Sequence, residues 1–168
     1  MTRLLIVLGC VAIFALCLYG MRTGWRHRGA RQSGLAPLPP VPPDLGASLL
    51  APLTGLYVGT TTAEQWQDRV VAHGLGTRAA ATATLTAAGL LIDRQGAEPL
   101  FIPAAAIASA GIGSGLAGKV MGAGGLLVIR WRLGDGSAAV ELDSGLRGDD
   151  KSVYPAWVQA VDRLVPAA

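Results

Sequence analysis

An unbroken apolar run from Leu4 to Met21 opens the chain: 18 residues without a charge, closed at both ends by Arg3 and Arg22. As a helix it would measure about 27 Å, enough to cross a bilayer core. The pattern then changes completely. Ser33 to Thr54 holds six of the ten prolines, at Pro37, Pro39, Pro40, Pro42, Pro43 and Pro52. Such a stretch favours polyproline II and predicts a semi-rigid spacer, reaching about 55 Å from Ala36 to Leu53 if extended.

From Gly55 onward the apolar positions mostly recur at period two, which predicts strands. They are Leu56–Thr61, Ala81–Thr86, Leu90–Asp93, Leu100–Ile102 and a fifth around Ile107–Ile112. Two stretches read as helices. Thr62 with Gln65 forms a capping box, and Trp66, Val70 and His73 recur at helical spacing before Gly74, so a helix is predicted over Ala63–His73. Val153, Trp157, Val161 and Leu164 make one apolar stripe, predicting a last helix over Val153–Leu164 with Ser152 as its cap. Leu126–Leu133 and Ser137–Asp143 flank Asp135-Gly136, a type I′ turn signal. A two-residue loop would set Trp131 opposite Val140 and Arg130 opposite Glu141.

These patterns divide the chain into an anchor at 1–22, a basic and then Pro-rich linker at 23–54, and one folded domain at 55–168. The anchor is read as retained. Its exit, Leu18-Tyr19-Gly20-Met21-Arg22, has no small-x-small cleavage site. Cys17 follows Leu16, too large for a lipidation site.

Charge is split along the chain. Residues 1–34 carry five arginines and no acid, a net +5, while residues 35–168 carry nine basic and eleven acidic side chains, a net −2. The arginines after the run (Arg22, Arg26, Arg28 and Arg31) form a membrane-proximal basic cluster. By the positive-inside rule they place the C-terminal domain in the cytoplasm, at the plasma membrane. Trp25 and His27 suit the headgroup level, and each arginine near anionic lipid contributes about 1 kcal/mol. The folded part has no basic excess, so nucleic acid is not an expected partner. Cys10 and Cys17 both lie in the apolar run, leaving no disulfide for the domain.

Candidate chemistry is sparse. Gly113-Ser114-Gly115-Leu116-Ala117-Gly118-Lys119-Val120 imitates a phosphate loop, but Val120 stands where a metal-binding hydroxyl is needed, and further glycines replace the helix. It reads as the start of a glycine-rich connection, Gly118–Gly125. His27 and His73 are the only histidines and belong to no catalytic or ligand constellation. No catalytic, cofactor or metal residue is assigned.

About seven strands before a final helix suit a mainly β, pleckstrin-homology-like (PH-like) barrel closed by that helix. The chain resembles the actinobacterial PH-like domain proteins that carry one N-terminal transmembrane helix. The resemblance rests on the N-terminal run, Tyr57-Val58-Gly59-Thr60-Thr61, Trp66, Gly89-Leu90, Phe101-Ile102-Pro103, the Gly111–Gly125 segment and Trp157. It implies a fold and a membrane location, and it brings no catalytic residues. The expected role is non-enzymatic: a single-pass module for protein interaction or scaffolding, through a protein partner the sequence does not name. The alternatives are lipid-headgroup sensing, weakly supported by Arg69, His73 and Arg78 against Glu64 and Asp68, and an export-associated extracytoplasmic domain if the topology is reversed.

Overall fold

The computed structural model describes residues 2–31, 34–63, 65–116, 119–120 and 125–165. They fall into two compact units, Met1–Gly34 and Leu35–Ala168. The first is one helix, α1 (Thr2–Arg31), about 45 Å long at the usual rise. Val7–Gly24 within it is long and apolar enough to cross a membrane, and none of that window is buried.

The second unit is built on an antiparallel sheet. Its strands are β1 (Leu53–Thr62), β2 (Gln65–Arg69), β3 (Ala79–Thr86), β4 (Gly89–Arg94), β5 (Leu100–Pro103), β6 (Ile107–Gly113), β7 (Gly115–Leu116), β8 (Lys119–Val120), β9 (Leu126–Leu133) and β10 (Val140–Gly148). Helix α2 (Tyr154–Leu164) follows. Seven strands run in the order β5-β4-β3-β1-β10-β9-β6, β2 pairs with β1 beside this path, and β7 pairs only with β8. Strand β1 joins the two halves. Leu53–Tyr57 pairs with β3, and Gly55–Thr62 pairs with β10. This is a PH-like arrangement, mainly β with a C-terminal helix. The sheet is not a closed barrel: β5 and β6 are its two edges, and α2 packs against β6.

Period-two patterning produces the core. Along β3, Ala79, Ala81, Ala83 and Leu85 are buried while Ala80 is exposed and Thr82 and Thr84 are half-buried. Along β9, Ile129, Trp131 and Leu133 are buried while Arg130 and Arg132 point to solvent. Tyr154, Trp157 and Val161 of α2 join the same core. A second, small cluster forms on the opposite side of β1, where Leu116 of β7 meets Val58 and Leu126. At Gly89 the backbone adopts a φ of 145°, and a Cβ there would strike the Ile102 carbonyl, so β4 approaches β5 as closely as glycine permits.

Four expectations are corrected. The helix predicted over Ala63–His73 is strand β2 followed by a 3-10 turn, Ala72–Gly74. The far end of β1 extends past β3 and offers an unpaired edge, and Gln65–Arg69 satisfies it, so tertiary pairing overrides local helical spacing. The β9–β10 connection is not a two-residue turn. Leu133 faces Val140, Arg132 faces Glu141, Trp131 faces Leu142 and Arg130 faces Asp143, with a 3-10 turn at Gly136–Ala138 between the strands. This register lies two residues from the expected one. Every side chain keeps its face, and a second pair of opposite charges is gained. Helix α2 starts at Tyr154 without a side-chain cap. Ser152 instead donates its N–H and O–H to the Asp150 carboxylate, at 2.8 and 2.6 Å. Finally, the proline-rich stretch does not stand clear of the domain, because Leu35, Ala36, Leu38 and Leu50 pack against the core. The glycine-rich connection begins as the β7–β8 hairpin, and residues 117–118 and 121–124 lie outside the described residues.

Candidate functional site

The basic cluster lies on the C-terminal part of α1. Arg22 is exposed; Arg26, Arg28 and Arg31 belong to the same helix, but their side chains lie outside the described residues. Their backbone positions fall within about 14 Å along the axis.

Within the domain, four arginines are tied to internal partners. Arg69 donates through Nη1 to the Gly76 carbonyl at 2.7 Å. Arg94 is buried (2% exposed) and donates through Nε and Nη2 to the Glu98 carbonyl, at 2.9 and 2.6 Å. Its Nη1 reaches the Gly74 carbonyl at 2.9 Å, and the guanidinium lies 5.1 Å from the centre of the Tyr57 ring. Arg94 thereby ties the segment after β4 to the turn before β3. Arg130 forms a two-pronged pair with Asp143, both bonds at 2.8 Å, and this carboxylate holds the Arg130 guanidinium above its usual pKa. Arg132 meets Glu141 at 3.1 Å in an exposed pair.

Beneath these lies a buried chain of hydroxyls. Tyr57 Oη donates to the Leu75 carbonyl at 2.9 Å, lies 2.6 Å from Thr60 Oγ1, and Thr60 Oγ1 lies 2.6 Å from Ser144 Oγ. Trp131 Nε1 donates to Ser144 Oγ at 2.9 Å. A carbonyl only accepts, an indole N–H only donates and each hydroxyl has one proton. The direction is therefore fixed: Trp131 donates to Ser144, Ser144 to Thr60, Thr60 to Tyr57, and Tyr57 to Leu75. Burial pushes the Tyr57 phenol up to about 12, against weaker lowering by Thr60 and Arg94. Every proton of this chain is donated within it and the chain is buried, so it stitches β9, β10 and β1 together.

Among the described residues, no three His, Cys, Asp or Glu side chains gather as a metal site would need. His73 is exposed, in the left-handed region at φ 53°, with Nε2 3.5 Å from the Leu35 carbonyl. The phosphate-loop imitation runs from the end of β6 into the β7–β8 hairpin, the wrong scaffold for a phosphate.

The surface has three hollows of note. One of about 840 Å³ lies between Ala36, Pro37 and Pro39 and the β9–β10 connection. Two others flank the place where Leu50 meets α2. A hollow of about 300 Å³ is lined by Pro52, Val153, Ala156 and Trp157, with Asp149 and Asp150 at its rim. A hollow of about 370 Å³ is lined by Leu49, Ala156, Ala160 and Leu164, with Arg163 at its rim. Leu50 and Ala156 border both. Sequence patterning missed this groove; its one signal was the apolar pair Leu49-Leu50 inside a proline-rich segment.

Comparison with known proteins agrees with the topology. The family model for bacterial PH domain-like proteins matches residues 35–162. No curated protein and no solved structure matches the chain. The matched stretch starts at Leu35, where the packed unit itself starts, and ends inside α2. By this match, and by a sheet order that suits it, the chain belongs to the bacterial PH domain-like family.

Proposed function

We propose that this protein is a non-enzymatic, single-pass membrane module whose PH-like domain serves protein interaction or scaffolding on the cytoplasmic side of the inner membrane. The observation that carries this reading is the commitment of Arg69, Arg94, Arg130 and Arg132 to partners within the domain. A headgroup-sensing domain needs several cations converging on open solvent. Here four of the five strand arginines, all but the exposed Arg147 of β10, are paired or buried within the domain, and residues 35–168 sum to a net −2. Protein contact needs no such cluster. The N-terminal helix supports the membrane tether, and Arg22, Arg26, Arg28 and Arg31 against Arg3 support the cytoplasmic orientation. The same arginines would meet anionic lipid.

Two experiments test this reading. Reporters active only in the cytoplasm or only in the periplasm, fused in turn after Ala168, should show activity for the cytoplasmic one alone. The reverse result would move the domain outside and favour an export-associated role. In-cell crosslinking should recover a protein above the background of a chain ending at residue 34. Recovery of nothing above that background would sink the scaffold reading, and salt-sensitive sedimentation of the isolated 35–168 unit with anionic vesicles would favour headgroup sensing.

A further inference from the structure

The paired hollows along α2 have a shape and a charge pattern that together specify a ligand. They follow the helix from its N-terminal to its C-terminal end. Val153, Ala156, Ala160 and Leu164 form one wall, and Leu49, Leu50 and Pro52 form the other. Ala156 and Ala160, one turn apart, keep the helix wall low, while Leu49 is 48% exposed. The ends carry opposite charge. Asp149 and Asp150 stand at the end next to the start of α2, and Arg163 stands at the other. The Asp150 carboxylate is held by Ser152, which keeps it below the usual carboxylate range. Neither aspartate has a cation partner among the described residues.

From this we infer that the groove between residues 49–54 and α2 is a docking site for an extended protein segment with apolar side chains in its middle, a lysine or arginine at the end facing Asp149 and Asp150, and an acidic group at the end facing Arg163. From Val153 to Leu164 the helix runs about 17 Å, which an extended chain covers in about five residues. The two hollows, separated by Leu50, accept apolar side chains from such a segment. The charged ends set its direction, since reversing it would bring like charges together. The inference deepens the interaction reading above and rests on it.

The test uses the full-length chain in lipid nanodiscs, so that no detergent competes for the groove. The probe is a positional library of seven-residue peptides. Retained peptides should carry Lys or Arg at one end, apolar residues within and an acidic group at the other. Replacing both aspartates, Asp149→Asn with Asp150→Asn, should weaken retention about tenfold and erase the basic preference. Ala156→Arg lies on an exposed position, so the fold should persist, as tryptophan fluorescence would verify, while retention disappears. The inference is overturned if no peptide is retained, if basic and acidic ends are retained alike, or if Ala156→Arg changes nothing. Disulfide formation between two copies through Gln159→Cys, with Cys10 and Cys17 replaced by serine, would also overturn it, by assigning the groove to self-association. If in-cell crosslinking still recovers a partner while the library is not retained, the groove is wrong and the interaction reading stands.

Discussion

Helix α1 and the sheet domain use the same apolar residue types and place them oppositely. Phe14 and Leu16 of α1 are 65% and 71% exposed, whereas Leu85, Ile129 and Trp131 of the domain have no exposed surface. The difference is one of patterning. The domain buries its apolar side chains against itself, because period-two patterning gives each strand an inner face. Residues 7–21 of α1 carry no charge and have no inner face of their own, and the Val7–Gly24 window is long and apolar enough to cross a membrane. The arginines follow the same division: those after the apolar run gather near its end, while four of the five in the strands (Arg69, Arg94, Arg130 and Arg132) bond to partners within the domain and Arg147 is exposed. A substitution should therefore affect one region and leave the other untouched.

The largest expected effect is in the domain. Trp131→Ala removes a fully buried indole and the donor that starts the hydroxyl chain through Ser144. It should cost about 4 kcal/mol of domain stability. Urea unfolding of the 35–168 unit would measure this, and retention of the full chain in membranes should not change. A loss below about 1 kcal/mol would mean the core had been misread.

The reciprocal substitution is Phe14→Arg. A guanidinium near the middle of a spanning helix costs about 3 kcal/mol of insertion. More of the chain should become extractable by alkaline carbonate, with the domain's unfolding midpoint unmoved. A shift of that midpoint would show that the two regions are coupled, contrary to their division here.

How far the fold is legible in the sequence follows from which interactions are local. Strands β3, β4, β9 and β10 could be read because alternation alone decides which side of a sheet a residue faces. The β9–β10 register could not, because a slip of two residues preserves alternation. Only the sum of the Leu133–Val140, Arg132–Glu141 and Arg130–Asp143 pairs separates the two registers, and it outweighs the Asp135-Gly136 turn signal. Strand β2 was hidden for a different reason. Whether Gln65–Arg69 becomes helix or strand depends on an edge of β1 left free by β3, a property of the assembled sheet. Arg94 shows the same limit at a single residue. Its burial depends on two carbonyls, of Gly74 and Glu98, that only the fold brings to it. The groove beside α2 was invisible because proline-rich composition suggested a spacer, while Leu35, Leu38 and Leu50 supply apolar contacts enough to hold that stretch down.

A pH titration sharpens the comparison by isolating the buried hydroxyl chain, which only the domain possesses. Burial raises the Tyr57 phenol to about 12, so the folded state keeps its proton while the unfolded chain loses it near 10. The contribution is thus fully present below pH 10 and is lost as pH climbs toward 12. Two units correspond to at most about 3 kcal/mol. Unfolding free energies measured between pH 9 and 12 should fall more steeply for the native sequence than for Tyr57→Phe. Equal slopes would show that Tyr57 ionises as freely in the folded state as in the unfolded one.

The smallest effect comes from the charges on the solvent face of the same sheet. Arg132 and Glu141 are 64% and 44% exposed at their side chains, while Asp143, the partner of Arg130, is only 11% exposed. Water screens the first pair on all sides, and ordering two long side chains costs entropy, so its coupling should be under about 0.5 kcal/mol. The second pair is bidentate and half sheltered, and should couple by about 1 kcal/mol. Double-mutant cycles with alanine at each pair, run in low and high salt, measure both values. The Arg132–Glu141 coupling should vanish in high salt while part of the Arg130–Asp143 coupling survives. Equal couplings would mean that shelter at Asp143 contributes nothing. Either value is small beside the loss expected at Trp131, because the sheet's stability comes from what it buries, and the paired arginines chiefly fix register.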